Sequence, residues 1–574
     1  MVSDERGLAT WLAARDDAQL AQTLAAREVA AHASWDNFFD AAEALLDAAA
    51  VDRALTSLHR NALSHLAHGD DPDSTPHLEL LALVDATGTP YAAVTARVEA
   101  LAATQPDAFR HITPANSFTP ADAQQTAATA ECAFEATGSL ADVLLACLHS
   151  PITRTGAGSV SAADRKRLLD SGAIRSQEDL DDILIAAAAG GLAHAHDRVW
   201  TVTTRGEEWL EATTISRWSD IAVGIRASLP AGMRTAGGGF ADFADWPALH
   251  PLDSDWPARA ARYRRIAERW GFVDASGAVP TWTTALREGR PLDPDELAQH
   301  LVAEIDQVYL QADLTAIAPG PLHPALDLRL RTIAERESRA QASTYRFTVD
   351  SLGAGMTEGE TAASIRQFLT QLSLTGIPQP LDYLIESTAG RHGLVRVRDD
   401  HASERTRIES TDRAILETIA VDQALRPLGL LPDADALSSR VARDAVYWSL
   451  ADARYPVVAV NSEGNPEPVR RRSVGAPAEP ATAPLDVYAR LIETLRNGHG
   501  TEGEAGWLER ELEQAVRLRG EIEVTVRMPD GSERTLTLEA TGLGGGRLRG
   551  RDRAADIERT LPVSSIANVV PLTR

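Results

Sequence analysis

The chain has 574 residues, of which 44% are hydrophobic and 24% charged, and its net charge is −26. Single cores rarely exceed about 250–300 residues, so a chain of this length predicts several domains. So acidic a chain cannot neutralise DNA phosphates over its whole surface, which leaves local basic patches or a protein partner.

The apolar runs, such as residues 183–189, are too short to span a membrane. The polar and acidic N-terminus lacks the basic and apolar regions of a secretory signal. We therefore expect a cytoplasmic protein, nucleoid-associated if it binds DNA, with no membrane partner. The predicted fold class is multidomain α+β.

Residues 1–130 predict a helical N-terminal domain. Leu8, Leu12, Leu20 and Leu24 recur near three- to four-residue spacing, which gives a helix one apolar face.

Residues 131–225 predict a winged helix-turn-helix. Three helices, the first around Leu140 and the others starting at Ser161 and Ser176, precede two strands separated by residues 195–198. In that fold the third helix enters the DNA major groove. Here it carries carboxylates and no basic residue: Glu178, Asp179, Asp181 and Asp182. A degenerate winged helix used for packing or protein contact therefore competes with DNA binding.

Basic residues lie beside this third helix instead. The second helix carries Arg165, Lys166 and Arg167, and the flanking loops carry Arg154 and Arg175. Lys166 is the one lysine of the chain. These cations predict a contact with the phosphate backbone that does not read bases.

Residues 226–304 predict a helical or second winged-helix-like segment. A helix stopped by Gly271 is followed by a predicted strand, and residues 279–283 predict a second wing. Its helix combines arginines with aromatic side chains, as nucleic-acid contacts do: Arg262, Arg265, Arg269, Tyr263 and Trp270. A solvated helix face is the alternative.

The remainder predicts an α/β domain at 305–460, a linker at 461–484, and helices plus a small β-barrel at 485–574. Within the α/β domain, residues 434–450 predict a helix. In the tail, alternating arginines on one predicted strand form a candidate anion-binding edge: Arg547, Arg549 and Arg551.

No catalytic motif is recognisable. A helicase motor needs Gly-x-x-x-x-Gly-Lys-Ser/Thr, and Lys166 has no glycine framework. His194 and His196 with Asp197 have strand spacing for a metal, but no third ligand is visible, so a wing tip is the favoured interpretation. We expect no cofactor, no metal and no enzymatic activity.

A series of motifs between residues 306 and 393 carries a family resemblance. It consists of Val-Tyr-Leu-Gln at 308–311, the run 312–322, Glu-Arg-Glu-Ser-Arg at 335–339, Tyr-Arg-Phe-Thr at 345–348, Pro-Gln-Pro-Leu-Asp-Tyr-Leu-Ile at 378–385 and Arg-His-Gly at 391–393. The series resembles the N-terminal domain of XPB-type DNA helicases. It resembles more closely the helicase-associated proteins of high-GC bacteria, actinobacterial in type, which carry that domain without a motor.

The resemblance implies a role next to a helicase, including contact with distorted DNA. The charged residues at 335–339 are interpreted as an ion-paired helix end. The tail is similar to the WYL-type module of bacterial regulators, although Trp-Tyr-Leu itself is absent.

The sequence therefore predicts a non-catalytic accessory protein of DNA repair or DNA metabolism that binds an XPB-type helicase, DNA, or both. One alternative is a winged-helix/WYL-type transcriptional regulator. Another is an interaction scaffold without nucleic-acid contact. The candidate DNA contacts are Arg154, Arg165, Lys166, Arg167, Arg175, Arg262, Arg265, Arg269, Arg547, Arg549 and Arg551.

Overall fold

Five hydrophobic cores organise the part of the chain that the structure describes. The structure is a computed structural model. It describes residues 4–572 except for 113–117, 157, 236, 339–341, 401–402, 465–466, 468, 470–482, 502–507, 509–511, 514, 518–519, 529–531, 553–554 and 556. Helices and several sheets coexist, so the predicted mixed α+β class is confirmed.

The N-terminal unit is helical, as predicted. Its helices are α1 (Asp4–Ala14), α2 (Asp17–Ala26), α3 (Phe38–Leu46), α4 (Ala48–Ser57), α5 (Arg60–His68), α6 (Thr75–Leu80) and α7 (Ala92–Thr104). Asp16 starts α2 with a capping box to Gln19, and Asn37 starts α3 by accepting a hydrogen bond from the Phe39 backbone. The leucines of the predicted apolar faces are fully buried in one core.

A second core holds residues 130–297 together. Its elements are α8 (Ala123–His149), β1 (Ile152–Thr153), α9 (Ala162–Asp170), α10 (Gln177–Ala189), β2 (Ala193–His196), β3 (Val199–Val202), α11 (Thr204–Glu211), α12 (Thr214–Ser228), α13 (Trp256–Arg269), α14 (Thr281–Arg287) and α15 (Pro294–Ala298). The strands form an antiparallel sheet in the order β1-β3-β2. We call residues 123–298 the central unit.

Helix α8 is long and apolar enough to cross a membrane by length and composition, but 61% of its most apolar window is buried within the protein. Core helices pass the same test.

The second wing predicted at 279–283 is wrong. Helix α14 covers most of these residues, and Pro280 directly precedes its first turn. Trp282 is fully buried, and its indole N–H donates to the Gly271 carbonyl at 2.8 Å. Burying an indole whose N–H has a partner favours the helix over an exposed hairpin.

The α/β domain predicted at 305–460 consists of two sheets with separate cores. The first sheet has the order β4-β5-β7-β6, from β4 (Tyr309–Leu310), β5 (Thr315–Ala318), β6 (Glu335–Ser338) and β7 (Ser343–Arg346). Its helices are α16 (Pro324–Ile333), α17 (Val349–Thr357), α18 (Ala362–Leu372) and α19 (Gln379–Arg391).

The second sheet has the order β10-β11-β9-β8-β12. Its elements are β8 (Val395–Asp400), β9 (Arg405–Ser410), α20 (Arg413–Val421), β10 (Leu431–Asp433), β11 (Ala436–Ser439), α21 (Arg443–Asp452) and β12 (Val457–Ala459). Strand β12 runs parallel to β8, and the other pairs are antiparallel.

Two predictions in this region are wrong. Residues 335–338 form the strand β6, rather than a helix end, because they pair with β7. The helix predicted over 434–450 begins only at Arg443, since Ala436–Ser439 pairs with β9.

The helix α22 (Pro484–Thr501) follows the predicted linker but packs on the N-terminal unit. Tyr488 and Leu495 are buried in the N-terminal core, and the Tyr488 hydroxyl donates to the Val29 carbonyl at 2.6 Å. The predicted domain at 485–574 is therefore divided between two cores. The apolar pattern at 507–518 predicts a further helix, and the residues of this range that the structure describes are helical, whereas the other half of the range and most of the linker lie outside the described residues.

The predicted C-terminal barrel is an open sheet in the described residues. Strands β13 (Glu521–Arg527), β14 (Glu533–Gly544), β15 (Arg547–Asp552), β16 (Ile557–Pro562) and β17 (Ile566–Leu572) have the order β16-β15-β14-β13-β17. The sheet does not close, because β17 pairs with β13 and no described pairing joins it to β16. The predicted glycine turn is confirmed, with Gly545 and Gly546 at φ +59° and +69°.

Candidate nucleic-acid interface

Helix α10, the third helix of the predicted winged helix-turn-helix, is covered by its neighbours. Leu180 and Ile183 are buried in the core shared with α8, α12 and α13. A Cβ on Gly190, directly after α10, would lie 2.5 Å from Cδ1 of Ile221 on α12. The exposed residues of α10 are Gln177, Glu178 and Ala188. This helix cannot enter a major groove unless α12 and α13 move away.

The carboxylates of α10 are ion-paired within the protein. Nη2 of Arg165, on α9, lies 2.7 Å from Oδ1 of Asp181. Asp179 pairs with Arg269 of α13. The Arg165 side chain is only 13% exposed and also donates to the Gln177 carbonyl at 2.6 Å. Two of the predicted phosphate contacts thus hold α9 and α13 against α10.

Asp182 is the most deeply buried of these carboxylates. Its side chain is 4% exposed and lies 3.3 Å from Nε of Arg265. Burial raises the pKa of Asp182, while the charges of Arg265, Arg269 and Arg262 oppose that rise. Arg265, which the sequence predicted to hold DNA, therefore pairs with a buried carboxylate of its own chain, and Arg262 and Arg269 act on that carboxylate through their charge.

Arg167 also has an internal partner. It pairs at 2.8 Å with Asp164 of the same helix, whose side chain is 13% exposed. Burial alone would raise the pKa of Asp164, but hydrogen bonds from Thr153, Ser161 and Arg167 lower it to about 2. Arg167 thus stabilises the junction between β1 and α9.

Lys166 and Arg175 form exposed ion pairs. Lys166 lies 2.7 Å from Asp170, and Arg175 pairs with Glu135 of α8. Both cationic side chains are more than 70% exposed. Such pairs contribute only about 0–1 kcal/mol, so a phosphate can compete with the carboxylate for the cation.

Two arginines with no carboxylate partner in the described residues lie at the hairpin β2–β3: Arg198 in its turn and Arg154 directly after β1. The Arg154 backbone N–H donates to the Arg198 carbonyl at 2.6 Å, which brings the two residues side by side. The Arg154 guanidinium donates to the Gly158 carbonyl at 3.1 Å and lies 6.0 Å from the centre of the Trp200 ring. We call Arg154, Arg198 and Trp200 the hairpin cluster. Sequence reasoning identified Arg154 but missed Arg198.

The arginines of β15 point outward, as predicted. Arg547, Arg549 and Arg551 are exposed and alternate with buried Leu548 and Gly550. Their surroundings differ along the strand. Arg551 is in register with Glu539 on one side and Glu558 on the other, whereas Arg549 is in register with Gly542 and Thr560. Arg547 and Arg549 are therefore the arginines of this strand that have no carboxylate in register on the neighbouring strands.

Among the described residues, no group of three His, Cys, Asp or Glu side chains is placed to hold a metal ion. His194 and His196 lie on one face of β2, in register with Thr201 and Val199. Asp197 Oδ2 is 3.5 Å from Nε2 of His196, at the exposed turn of the hairpin.

Residues 308–432 match the family model described as the helicase conserved C-terminal domain. The matched range covers less than a quarter of the chain and runs from β4 to β10. It supports the helicase-related character that the motifs at 306–393 predicted, and it extends beyond them into the second sheet. No match was found among curated proteins.

The second sheet carries arginines that sequence reasoning missed. Four of them lie within the matched residues, and one follows β11: Arg396, Arg398, Arg405, Arg407 and Arg440. The signal was present in Val-Arg-Val-Arg at 395–398 and Arg-Thr-Arg-Ile at 405–408, which alternate between apolar or buried residues and cations.

Proposed function

We propose that this protein is a non-catalytic helicase-associated factor of DNA repair or DNA metabolism, cytoplasmic, which binds DNA and an XPB-type helicase. The family match at 308–432 supports a helicase-related nucleic-acid function. In this proposal residues 305–460 act as an XPB-N-terminal-like region and the C-terminal sheet acts as a WYL-like module.

We interpret residues 131–225 as a winged helix that contacts nucleic acid with its wing, the hairpin β2–β3. The order of helix, short strand, two helices and hairpin in α8–β3 is typical of that fold. Because α10 is covered and its carboxylates are paired, we assign the main nucleic-acid contact of this unit to the hairpin, whose arginines need not be released from a carboxylate as Lys166 and Arg175 would be.

The observation that carries the proposal is the hairpin cluster. Arg154 and Arg198 lie beside Trp200 with no carboxylate paired to either guanidinium in the described residues. Arginines next to an indole bind phosphates by charge and an unpaired base by stacking. A contact of this kind recognises DNA structure, such as a fork, more than sequence.

The test is fluorescence anisotropy with labelled duplex and forked DNA at several salt concentrations. We expect Arg154→Glu/Arg198→Glu to weaken binding at least roughly tenfold and to make the salt dependence shallower, because two phosphate contacts are lost. The charge-matched control is Arg413→Glu/Arg454→Glu, whose side chains are highly exposed elsewhere. Equal effects of the two variants would refute the hairpin contact.

The same assay separates the alternatives. A transcriptional regulator would prefer one promoter sequence over a fork of arbitrary sequence. A scaffold without nucleic-acid contact would show no binding at low salt, where phosphate contacts are strongest. The acidic balance of the chain favours the scaffold among these alternatives.

Absence of a motor is part of the proposal. The single lysine, Lys166, lies on α9 and pairs with Asp170, and the residues before it do not have the Gly-x-x-x-x-Gly-Lys-Ser/Thr sequence of a phosphate-binding loop. We expect no ATP hydrolysis above background, with or without DNA. Co-purification of a helicase with the tagged protein from its source cells would support the accessory role, and DNA-stimulated hydrolysis by the purified chain would contradict it.

A further inference from the structure

We call residues 305–460, which contain the family match at 308–432, the helicase-type region. Its second sheet, in the order β10-β11-β9-β8-β12, has one face turned to solvent. Val395, Val397 and Ile408 point into the core beneath α20 and α21. The alternating residues of the same strands point the other way, and they are mainly arginines: Arg396, Arg398, Arg405 and Arg407. We call this surface, together with Arg440 directly after β11, the arginine face.

One half of the arginine face is neutralised within the protein. Glu409 lies 2.9 Å from Nη2 of Arg398 and 2.7 Å from Nε of Arg407. Asp433 and Asp435 of the neighbouring hairpin also pair with Arg407, at 2.9 and 3.2 Å. These arginines stabilise the sheet and have little charge left for a ligand.

The other half carries arginines without a paired carboxylate in the described residues. Arg405 donates to the Ser438 hydroxyl at 3.4 Å, and Asp400 lies opposite it across the strand pair. Thr406 is in register with Ser439, which brings exposed Arg440 next to Arg405. Arg396 is exposed on β8. Like charges side by side across strands repel each other. Asp400 and Glu409, in register with Arg405 and Arg396, offset part of this charge, but Glu409 already pairs with Arg398 and Arg407.

We propose that Arg396, Arg405 and Arg440 form a second contact with nucleic acid, through the phosphate backbone. This inference rests on the proposed function and extends it from the central unit to the helicase-type region. The position of Arg396 and Arg405 inside residues 308–432 favours a nucleic acid over an acidic protein. The strands of this face carry no aromatic side chain among their described outward residues, so the contact reads phosphates and not bases.

The spacing fits a phosphate backbone. Arg396 is in register with Glu409, and Arg405 lies four residues further along β9. Four residues of a strand span about 13 Å. Phosphates along one strand of B-DNA advance about 3.4 Å per nucleotide along the helix axis and also wind around it, so two guanidinium groups this far apart reach different phosphates. Arg396 and Arg405 therefore count as separate phosphate contacts.

The test uses the full-length chain and measures the salt dependence of duplex affinity. Each phosphate contact contributes about −0.9 to the slope of log affinity against log salt. We expect Arg396→Gln/Arg405→Gln/Arg440→Gln to make the slope shallower by about 2–3. The matched control removes three highly exposed arginines elsewhere, as Arg110→Gln/Arg413→Gln/Arg454→Gln. Circular dichroism checks that each variant is folded. If the triple variant does not fold, Arg440→Gln alone, at an exposed site, replaces it in the same measurement.

The outcomes separate this inference from the proposed function. An unchanged slope in the triple variant, with binding lost in Arg154→Glu/Arg198→Glu, would overturn the arginine face and leave the hairpin contact standing. Absence of DNA binding by the unmodified chain would overturn both. If the chain bound polyglutamate but not DNA, and the triple variant lost that binding, the arginine face would be a site for acidic protein.

Discussion

Asp142 of α8 accepts two hydrogen bonds from Nη2 of Arg336 on β6, each at 2.6 Å. Arg331 of α16 adds a third at 2.7 Å. The Asp142 side chain is 5% exposed. Burial would lower the pKa of Arg336, but Asp142 and Asp327 outweigh it and raise that pKa. A buried ion cluster therefore joins the helicase-type region to the first helix of the central unit.

This cluster predicts a large loss of stability for Asp142→Asn. The substitution keeps the shape but leaves two largely buried guanidinium groups with only the more distant carboxylate of Asp327, whose Oδ2 lies 3.7 Å from each. Breaking a buried pair in this way costs about 3–5 kcal/mol. Urea unfolding followed by circular dichroism measures the change.

The control for Asp142→Asn is Asp52→Asn. Asp52 also pairs with an arginine at 2.7 Å, but its side chain is 40% exposed. An exposed pair contributes about 0–1 kcal/mol. Similar losses for the two variants would show that the Asp142 cluster does not join the two regions as described.

Arg165→Glu is expected to reduce stability rather than DNA affinity. Arg165 is largely buried, pairs with Asp181 and donates to a backbone carbonyl, so glutamate there would face a carboxylate. The melting temperature should fall, while the folded protein keeps its affinity. Thermal unfolding and anisotropy below the transition measure the two effects separately. Weaker DNA binding with an unchanged melting temperature would restore the phosphate contact that the sequence predicted.

Local sequence signals predicted secondary-structure elements better than they predicted which side chains contact each other. The caps at Ser161 and Ser176 and the stop at Gly190 located α9 and α10, because these signals act within one turn. The pairing of Asp182 with Arg265 joins residues 83 positions apart, and no local pattern encodes it. The sequence therefore predicts Arg265 and Arg269 as DNA contacts without showing that both also pair with carboxylates of α10.

The same limit explains the domain boundaries. The composition of residues 461–484 predicted a linker, after which a new domain was expected. The apolar face of α22 does not specify which core it joins, and it completes the N-terminal one. The two sheets at 305–460 were predicted as one because both alternate strands with helices. The strand pairing separates them, because β4–β7 pair among themselves and β8–β12 pair among themselves, each set over its own core.

Gly498→Ala tests the contact of α22 with the N-terminal unit. A Cβ at this position would lie 2.0 Å from the Asp36 carbonyl oxygen, so α22 or the start of α3 must move. Overpacking of this kind costs about 1–3 kcal/mol. The control is Gly7→Ala in α1, where a Cβ meets nothing within 4 Å. There alanine should stabilise the helix by about 0.5–1 kcal/mol. Urea unfolding should give opposite signs, and equal signs would contradict the packing of α22.

Acid is expected to weaken the contact between the N-terminal and central units through His59. Burial, with the nearby His77 and His250, lowers the pKa of His59 to about 4, although Asp71 opposes this. His59 Nδ1 accepts the Ala62 backbone N–H at the start of α5, so protonation also removes a helix cap.

The sign of this pH dependence follows from the number of protons that each state binds. Unfolded histidine has a pKa near 6.5, so below that pH the unfolded state binds more protons than the folded state. Stability is therefore fully present above pH 6.5 and is lost as the pH falls towards 4. From His59 the loss reaches about 3 kcal/mol at pH 4. His250 adds to this loss of stability, because burial lowers its pKa as well, although the hydrogen bond between its Nδ1 and the Ser57 carbonyl, at 3.1 Å, opposes that shift.

Carboxylates also titrate near pH 4, so the informative quantity is the difference between the unmodified chain and His59→Asn. Asparagine keeps a side-chain oxygen that caps α5 and does not titrate. Urea unfolding at pH 7.5, 5.5 and 4.5 should show the variant losing less stability than the unmodified chain in acid, by up to about 2–3 kcal/mol. His32→Asn, at an exposed position, is the matched control and should follow the unmodified chain. Parallel curves for all three proteins would show that His59 takes up its proton as readily in the folded state as in the unfolded one.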